Sequence, residues 1–130
     1  MYVESRPHLQ EFLIAVSSIF EVYIYTAGNK EYADVVLDEI DQKKVIQKRF
    51  YRECCKKQNG TYYKDLKHLK KVSKCKGEMI LVDDNGVSVG HNYPFSMKIK
   101  EFEGDQSDKE LTNIFKNLLK FYAWFTTKPS

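Results

Sequence analysis

The apolar residues Leu9, Phe12, Leu13, Val16, Ile19 and Phe20 recur at helical spacing behind Pro7, which suits a first helical turn, so the pattern predicts a helix over 7–20. It gives way to Val22-Tyr23-Ile24-Tyr25, a short β-branched and aromatic run of the kind a buried parallel strand carries, stopped by Thr26-Ala27-Gly28-Asn29. Ala33, Val36, Leu37 and Ile40 then mark one face of a second helix. Phe50-Tyr51 and Thr61-Tyr62-Tyr63 flank a polar loop whose Asn59-Gly60 pair favours positive φ, which predicts a β-hairpin over 48–63. A short helical turn through Leu66 and Leu69 follows, then a buried strand at Glu78-Met79-Ile80-Leu81-Val82 ending in Asp83-Asp84-Asn85-Gly86. One more short strand is expected within 93–102. A Ser107-Asp108-Lys109-Glu110 capping box then opens a last helix through Leu111, Ile114, Phe115, Leu118, Leu119 and Tyr122. This order is that of an α/β domain with a mostly parallel sheet flanked by helices. Right-handed crossovers need a strand to start from, so an order that begins on a helix is itself unusual.

With 130 residues the chain has room for one compact domain, expected over 1–130. Its 42% hydrophobic and 14% aromatic content excludes an intrinsically disordered chain. The longest apolar run is the five residues from Phe12 to Val16, against the roughly 20 that span a bilayer, so no membrane association is expected and the location is nuclear or cytoplasmic. A net charge of +3 is too small to argue for nucleic acid. Lys67, Lys70, Lys71, Lys74 and Lys76 read as a solvated face, because no aromatic stacking platform is interleaved with them. Cys54, Cys55 and Cys75 are odd in number and lack metal-ligand spacing to each other or to His8, His68 and His91, so neither a disulfide framework nor zinc is expected.

In open parallel sheets ligands collect at the carboxyl ends of strands. Thr26 and the Asp83-Asp84-Asn85 run both fall at such ends, and Lys64 lies just beyond the hairpin. Together they offer a hydroxyl donor, a cation and hard oxygen ligands, which is what a phosphate with magnesium needs.

Longer strings carry more. Arg6-Pro7-His8-Leu9-Gln10-Glu11-Phe12-Leu13, Tyr25-Thr26-Ala27-Gly28, Glu31-Tyr32-Ala33-Asp34, Phe50-Tyr51-Arg52-Glu53-Cys54, Tyr63-Lys64-Asp65-Leu66, Leu81-Val82-Asp83-Asp84-Asn85 and Gly104-Asp105-Gln106-Ser107-Asp108-Lys109-Glu110-Leu111 occur in order along nearly the whole chain. In these strings the sequence resembles the NLI-interacting-factor-like phosphatases. They include the small phosphatases of the RNA polymerase II C-terminal domain, a branch of the haloacid dehalogenase superfamily. The resemblance implies a Rossmann-like parallel sheet with a β-hairpin insertion, and a magnesium-dependent, aspartate-based phosphatase acting on phosphoserine or phosphothreonine in proteins. By the same resemblance, Thr26 hydrogen-bonds a phosphoryl oxygen, Lys64 neutralises the phosphate, Asp84 with Asn85 completes the Mg2+ site, and Arg52 and Tyr32 line the substrate groove.

The departures from the family pattern matter as much. The family's Asp-x-Asp-x-Thr or Asp-x-Asp-x-Val motif, which supplies the nucleophile and the general acid, has no counterpart among these 130 residues. Asp38 and Asp41 are three apart on a helix, and Asp105 and Asp108 belong to the start of the last one. The central strand that carries the motif is therefore expected upstream of Met1, and without it two neighbouring strands keep unpaired edges. Gly86-Val87 stands in place of the usual Ser-Pro, and Phe102 in place of a common Trp. Two readings follow: a phosphatase domain whose nucleophile lies outside these residues, with a phosphoprotein such as the RNA polymerase II C-terminal domain as substrate, or a pseudophosphatase that binds phosphopeptides or a protein partner without turnover. Neither reading fixes the oligomeric state.

Overall fold

The computed structural model describes residues 4–127. Helix α1 (Leu9–Ser17) buries Leu13 and Val16 and stops short of the expected residue 20. The hydroxyls of Ser17 and Ser18 donate back to the carbonyls of Ile14 and Ala15, the local bonding by which serine competes with helix continuation. Strand β1 (Val22–Tyr25) follows, then α2 (Lys30–Ile40), whose first turn is capped by the Asn29 side chain accepting the Tyr32 N–H at 2.9 Å. β2 (Ile46–Phe50) returns parallel to β1, completing a β-α-β unit.

That pairing corrects the hairpin expectation. Phe50 belongs to β2 and Tyr51 to the turn after it, where the ring is buried against Ala33 and Leu37 of α2. The hairpin is smaller, β3 (Lys56–Gln58) with β4 (Thr61–Tyr63), preceded by a 3-10 turn at Arg52–Cys54. Its turn is the expected one, with Asn59 and Gly60 at φ 53° and 80°, the double left-handed geometry of a type I′ turn.

Asp65 caps α3 (Leu66–Ser73), accepting the His68 N–H at 3.2 Å. Strand β5 (Leu81–Asp83) begins later than the apolar run suggests and ends one residue further, on Asp83. A helix that the sequence pattern did not predict comes next, α4 (Gly86–Asn92), and it leads to β6 (Ser96–Lys98), parallel to β5. In α5 (Glu110–Thr127) Leu111, Ile114 and Leu118 are buried, as the periodicity implies. The expected capping box does not form, because Ser107 donates both N–H and Oγ–H to Asp105, and Asp108 accepts the Glu110 N–H at 2.9 Å in its place.

The architecture is α/β, with parallel strands flanked by helices. Among the described residues the parallel strands form two separate pairs, β1–β2 and β5–β6, instead of one continuous sheet. Side chains join the pairs. Val22 and Val82 pack on the cluster of Val16, Ile99, Leu111, Ile114 and Leu118, while Tyr25 and Phe50 pack on Leu66, Leu69 and Leu81. Leu69 is only 2% exposed, and truncating it to Ala should cost about 3 kcal/mol.

Candidate functional site

Residues 51–66 tie the two strand pairs together at their carboxyl ends. On the β1 side, the Arg52 N–H donates to Gly28 O at 3.1 Å and its Nε to Ala27 O at 2.8 Å. The Cys55 thiol donates to Thr26 O at 3.7 Å, and the Tyr25 hydroxyl donates to Cys54 O at 2.6 Å while accepting the Asp65 N–H at 3.1 Å. Burial holds the Tyr25 hydroxyl protonated up to about 12. On the β5 side, the Lys64 N–H donates to Ser88 Oγ at 3.0 Å, and the Asn92 amide spans Lys64 O (2.9 Å), Ser88 O (2.7 Å) and the Leu66 N–H (2.8 Å). Ser88, at 2% exposure, is among the most buried side chains in the molecule, and these bonds leave the backbone around Lys64 no slack.

The Lys64 ammonium, held this way, lies 2.7 Å from Asp83 Oδ2, with both side chains largely buried. The Cys55 thiol senses both charges: burial raises its pKa, while Lys64 pulls it down. Thr26 follows β1 and Asp83 ends β5, and the segment between them reaches both, Cys55 through the Thr26 carbonyl and Lys64 through the Asp83 carboxylate. The Thr26 hydroxyl accepts the Gly28 N–H at 3.0 Å, which leaves its proton free to donate outward. Gly28 allows this tight turn, since a Cβ there would press to 3.3 Å on Thr26 Oγ1.

The remaining predicted site residues sit around this cluster. Tyr32, 64% exposed, flanks the Gly28 turn from the first turn of α2. Arg52 is exposed, its guanidinium 5.2 Å from the Tyr62 ring centre. Asp84 is exposed on the turn after β5. Asn85 is exposed too, but its oxygen accepts the Val87 and Ser88 N–H groups at 3.0 and 3.1 Å and so caps α4. The carboxylate beside Lys64 is Asp83, which sequence reasoning placed in the acidic run at the strand's end without singling it out as a site residue. The signal was present: Asp83 closes the apolar run Ile80-Leu81-Val82 and so ends the strand. Ser88 and Asn92 were missed because α4 was missed.

Other charge clusters lie away from this end. An open groove of about 460 Å3 runs between α3 and α4, lined by Asp65, Lys67, Lys70, Glu78 and His91, with Lys70 3.2 Å from Glu78 and His91 3.2 Å from Asp65. Asp34 on α2 gathers Lys30 at 2.7 Å, Arg49 at 2.9 Å and the Tyr51 hydroxyl at 2.5 Å. Lys30 first, then Tyr51 and Arg49, hold its carboxyl well below the usual range. Among the described residues no three His, Cys, Asp or Glu side chains cluster as metal ligands, and no helix is long and apolar enough to cross a membrane.

Parallel strands wrapped by helices, with a cation and carboxylate meeting at a strand end, place these polar groups where open α/β sheets bind their ligands. A solved structure titled "The Structure of Fcp1, an essential RNA polymerase II CTD phosphatase" matches the fold with a TM-score of 0.56 and 26% identity over 92% of this chain and 33% of that one. A family model described as NLI interacting factor-like phosphatase matches residues 1–127, and the chain belongs to that family. It is 35% identical over 114 residues to CTD small phosphatase-like protein 2 of Dictyostelium discoideum, covering 88% of this chain and 20% of that protein. It is 34% identical over 115 residues to the human CTD small phosphatase-like protein, covering 88% and 40%. To CTD nuclear envelope phosphatase 1 of Xenopus laevis it is 33% identical over 126 residues, covering 94% and 50%. The chain thus spans between a fifth and a half of the relatives it matches.

Proposed function

We propose that these residues form the phosphate-recognising part of a protein serine/threonine phosphatase domain. The observation that carries this is the buttressed Lys64–Asp83 pair at the end of β5, on the segment that also binds the Thr26 carbonyl through Cys55. Thr26 donates its hydroxyl to a phosphoryl oxygen. Lys64 supplies a positive charge from a partly desolvated position, where an ionic hydrogen bond is strongest. Arg52 and Tyr32 border the entry and contact the peptide on either side of the phosphorylated residue. The phosphoprotein substrates named for the relatives, such as the RNA polymerase II C-terminal domain, are the class we assign to this groove.

Magnesium fits the donor set at the end of β5. Mg2+ is commonly held by one or two carboxylates plus waters and phosphate oxygens, and Asp83 with Asp84 offers such a set, with the Asn85 carbonyl beside them. Asp83 is the first ligand in this proposal because it is buried and anchored, whereas Asn85 already uses its oxygen on the helix cap. When bound, the ion neutralises phosphoryl charge. Lys64 and Asp83 hold each other in place, so the cation stays aimed at the phosphate position.

The Asp-x-Asp-x-Thr or Asp-x-Asp-x-Val motif that supplies the family's nucleophile does not occur among these 130 residues. The second reading, a binding module without turnover, rests on that observation. One experiment separates the two: titrate the chain with a phosphoserine peptide and its unphosphorylated twin, and assay hydrolysis of the same phosphopeptide. Phosphate-dependent binding that Lys64→Ala abolishes supports the site. Release of phosphate would assign turnover to this chain, and binding without release would assign recognition. Equal binding of the two peptides would refute both readings.

A further inference from the structure

The hairpin has two faces with different fates. In the register Lys56↔Tyr63 and Lys57↔Tyr62, side chains alternate between faces along each strand. Lys56 and Tyr63 turn toward the body of the protein, where Lys56 pairs with Asp65 at 3.4 Å and the Tyr63 ring meets His91 edge-on at 4.9 Å. Lys57 and Tyr62 take the opposite face. There Lys57 Nζ and the Arg52 guanidinium each lie 5.2 Å from the centre of the Tyr62 ring, so two cations share one aromatic side chain. Among the described residues no carboxylate forms a salt bridge with Arg52 or Lys57.

Both side chains are exposed, so an anion beside the Tyr62 ring is attracted by two positive charges and meets no competing carboxylate salt-bridged to either. Position adds the rest. Arg52 is bonded to Ala27 O and Gly28 O, on the turn that carries Thr26. From Ala27 through the guanidinium and the Tyr62 ring to Lys57 Nζ is at most roughly 15 Å, no more than about four residues of extended peptide. The docked face of the hairpin keeps the pair at that reach.

We infer that Arg52, Tyr62 and Lys57 form a second anion subsite, which takes a negatively charged side chain, a carboxylate or a second phosphate, within about four residues of the phosphorylated residue bound at Thr26 and Lys64. This inference rests on the phosphate-binding reading of that site and adds to it a preference for acidic or multiply phosphorylated sequences.

The test is a set of binding titrations on the full chain at low salt. The probes are a phosphoserine peptide with neutral flanks, the same peptide with glutamates within four residues on either side, one with a second phosphoserine there, and the unphosphorylated neutral and glutamate-flanked peptides. The variants are Lys57→Gln and, as a control for bulk charge, Lys71→Gln on the exposed face of α3. Acidic flanks should tighten binding about fivefold, with the second phosphate gaining more than glutamate because it carries more charge. Lys57→Gln should bring that ratio close to one and leave the neutral phosphopeptide unchanged, while Lys71→Gln preserves the preference. A ratio of one in the unaltered chain, a ratio that survives Lys57→Gln, or one that Lys71→Gln lowers equally would overturn the subsite. If the neutral phosphopeptide binds no better than its unphosphorylated twin, the phosphate site itself has failed. The unphosphorylated pair then decides the hairpin alone: a glutamate preference lost in Lys57→Gln supports an acidic-peptide surface, and no preference overturns it.

Discussion

Two ion-pair centres in this molecule have nearly the same bond lengths and opposite meanings. Around Asp34, Lys30, Arg49 and the Tyr51 hydroxyl converge within 2.9 Å, and Arg49 reaches Asp38 as well. Around Lys64, a single carboxylate stands at 2.7 Å, backed by Ser88 and Asn92. In the Asp34 centre the neighbours hold the carboxyl well below its usual range, yet every charge is matched and it pins α2 to β2 from the side. The Lys64 centre is buried and sits at a strand terminus. Depth and position at the sheet end, not the size of an electrostatic shift, distinguish a site from a brace.

Substitutions sharpen that contrast, the largest effect first. Lys64→Ala leaves the buried Asp83 carboxylate without its partner, so it should cost about 3 kcal/mol in urea unfolding and weaken a phosphopeptide at least about tenfold in calorimetric titration. A variant that keeps its phosphopeptide affinity would move the site elsewhere. Tyr25→Phe strips one hydroxyl from two backbone partners and should cost about 2 kcal/mol. It also has a pH signature. With the Tyr25 pKa raised to about 12, the folded chain keeps a proton that the unfolded chain loses near 10, so stability is complete below about pH 10 and declines as pH rises toward 12. Urea midpoints at pH 9 and 11 should therefore fall less in Tyr25→Phe than in the unaltered chain.

Asn85→Ala removes the cap of α4 and should cost about 1 kcal/mol, read as faster hydrogen exchange at the Val87 and Ser88 amides. Asp34→Asn has the smallest functional consequence. Its carboxyl is held low by Lys30, so its stabilisation is present above about pH 4 and lost as pH falls through the folded value. The variant should flatten the acid limb of stability while phosphopeptide affinity stays unchanged, and a loss of affinity would erase the distinction between brace and site.

What could be read from the sequence followed from how local each signal was. α2 and α5 were legible because their apolar periodicity is long and uninterrupted, β1 because four β-branched and aromatic residues stand together before a turn, and the Asn59-Gly60 turn because its φ requirement is written in two residues. Phe50-Tyr51 misled, since a short aromatic pair near a turn says nothing about whether its partner is the next strand or the previous one. α4 was invisible: Gly86-Val87-Ser88-Val89-Gly90 has two glycines and two β-branched residues, poor helix material that stands only through the Asn85 cap and the Ser88–Asn92–Lys64 bonds. The site suffered by the same route. Thr26, Lys64, Arg52 and Tyr32 came from short strings, but Asp83 takes its meaning from Lys64, nineteen residues away, across a helix whose placement no local pattern encodes.

The separation of the parallel strands into two pairs gives ligand binding a mechanical side. Among the described residues β1 and β5 are linked not by backbone rungs but through residues 51–66 and the side chains packed between the pairs, so side-chain contacts alone resist movement of one pair past the other. A phosphate held by Thr26 on one side and Lys64 on the other is a rivet across that seam. Occupancy should slow amide exchange in β1 and β5 together, while the brace around Asp34, wholly within one half, exchanges as before.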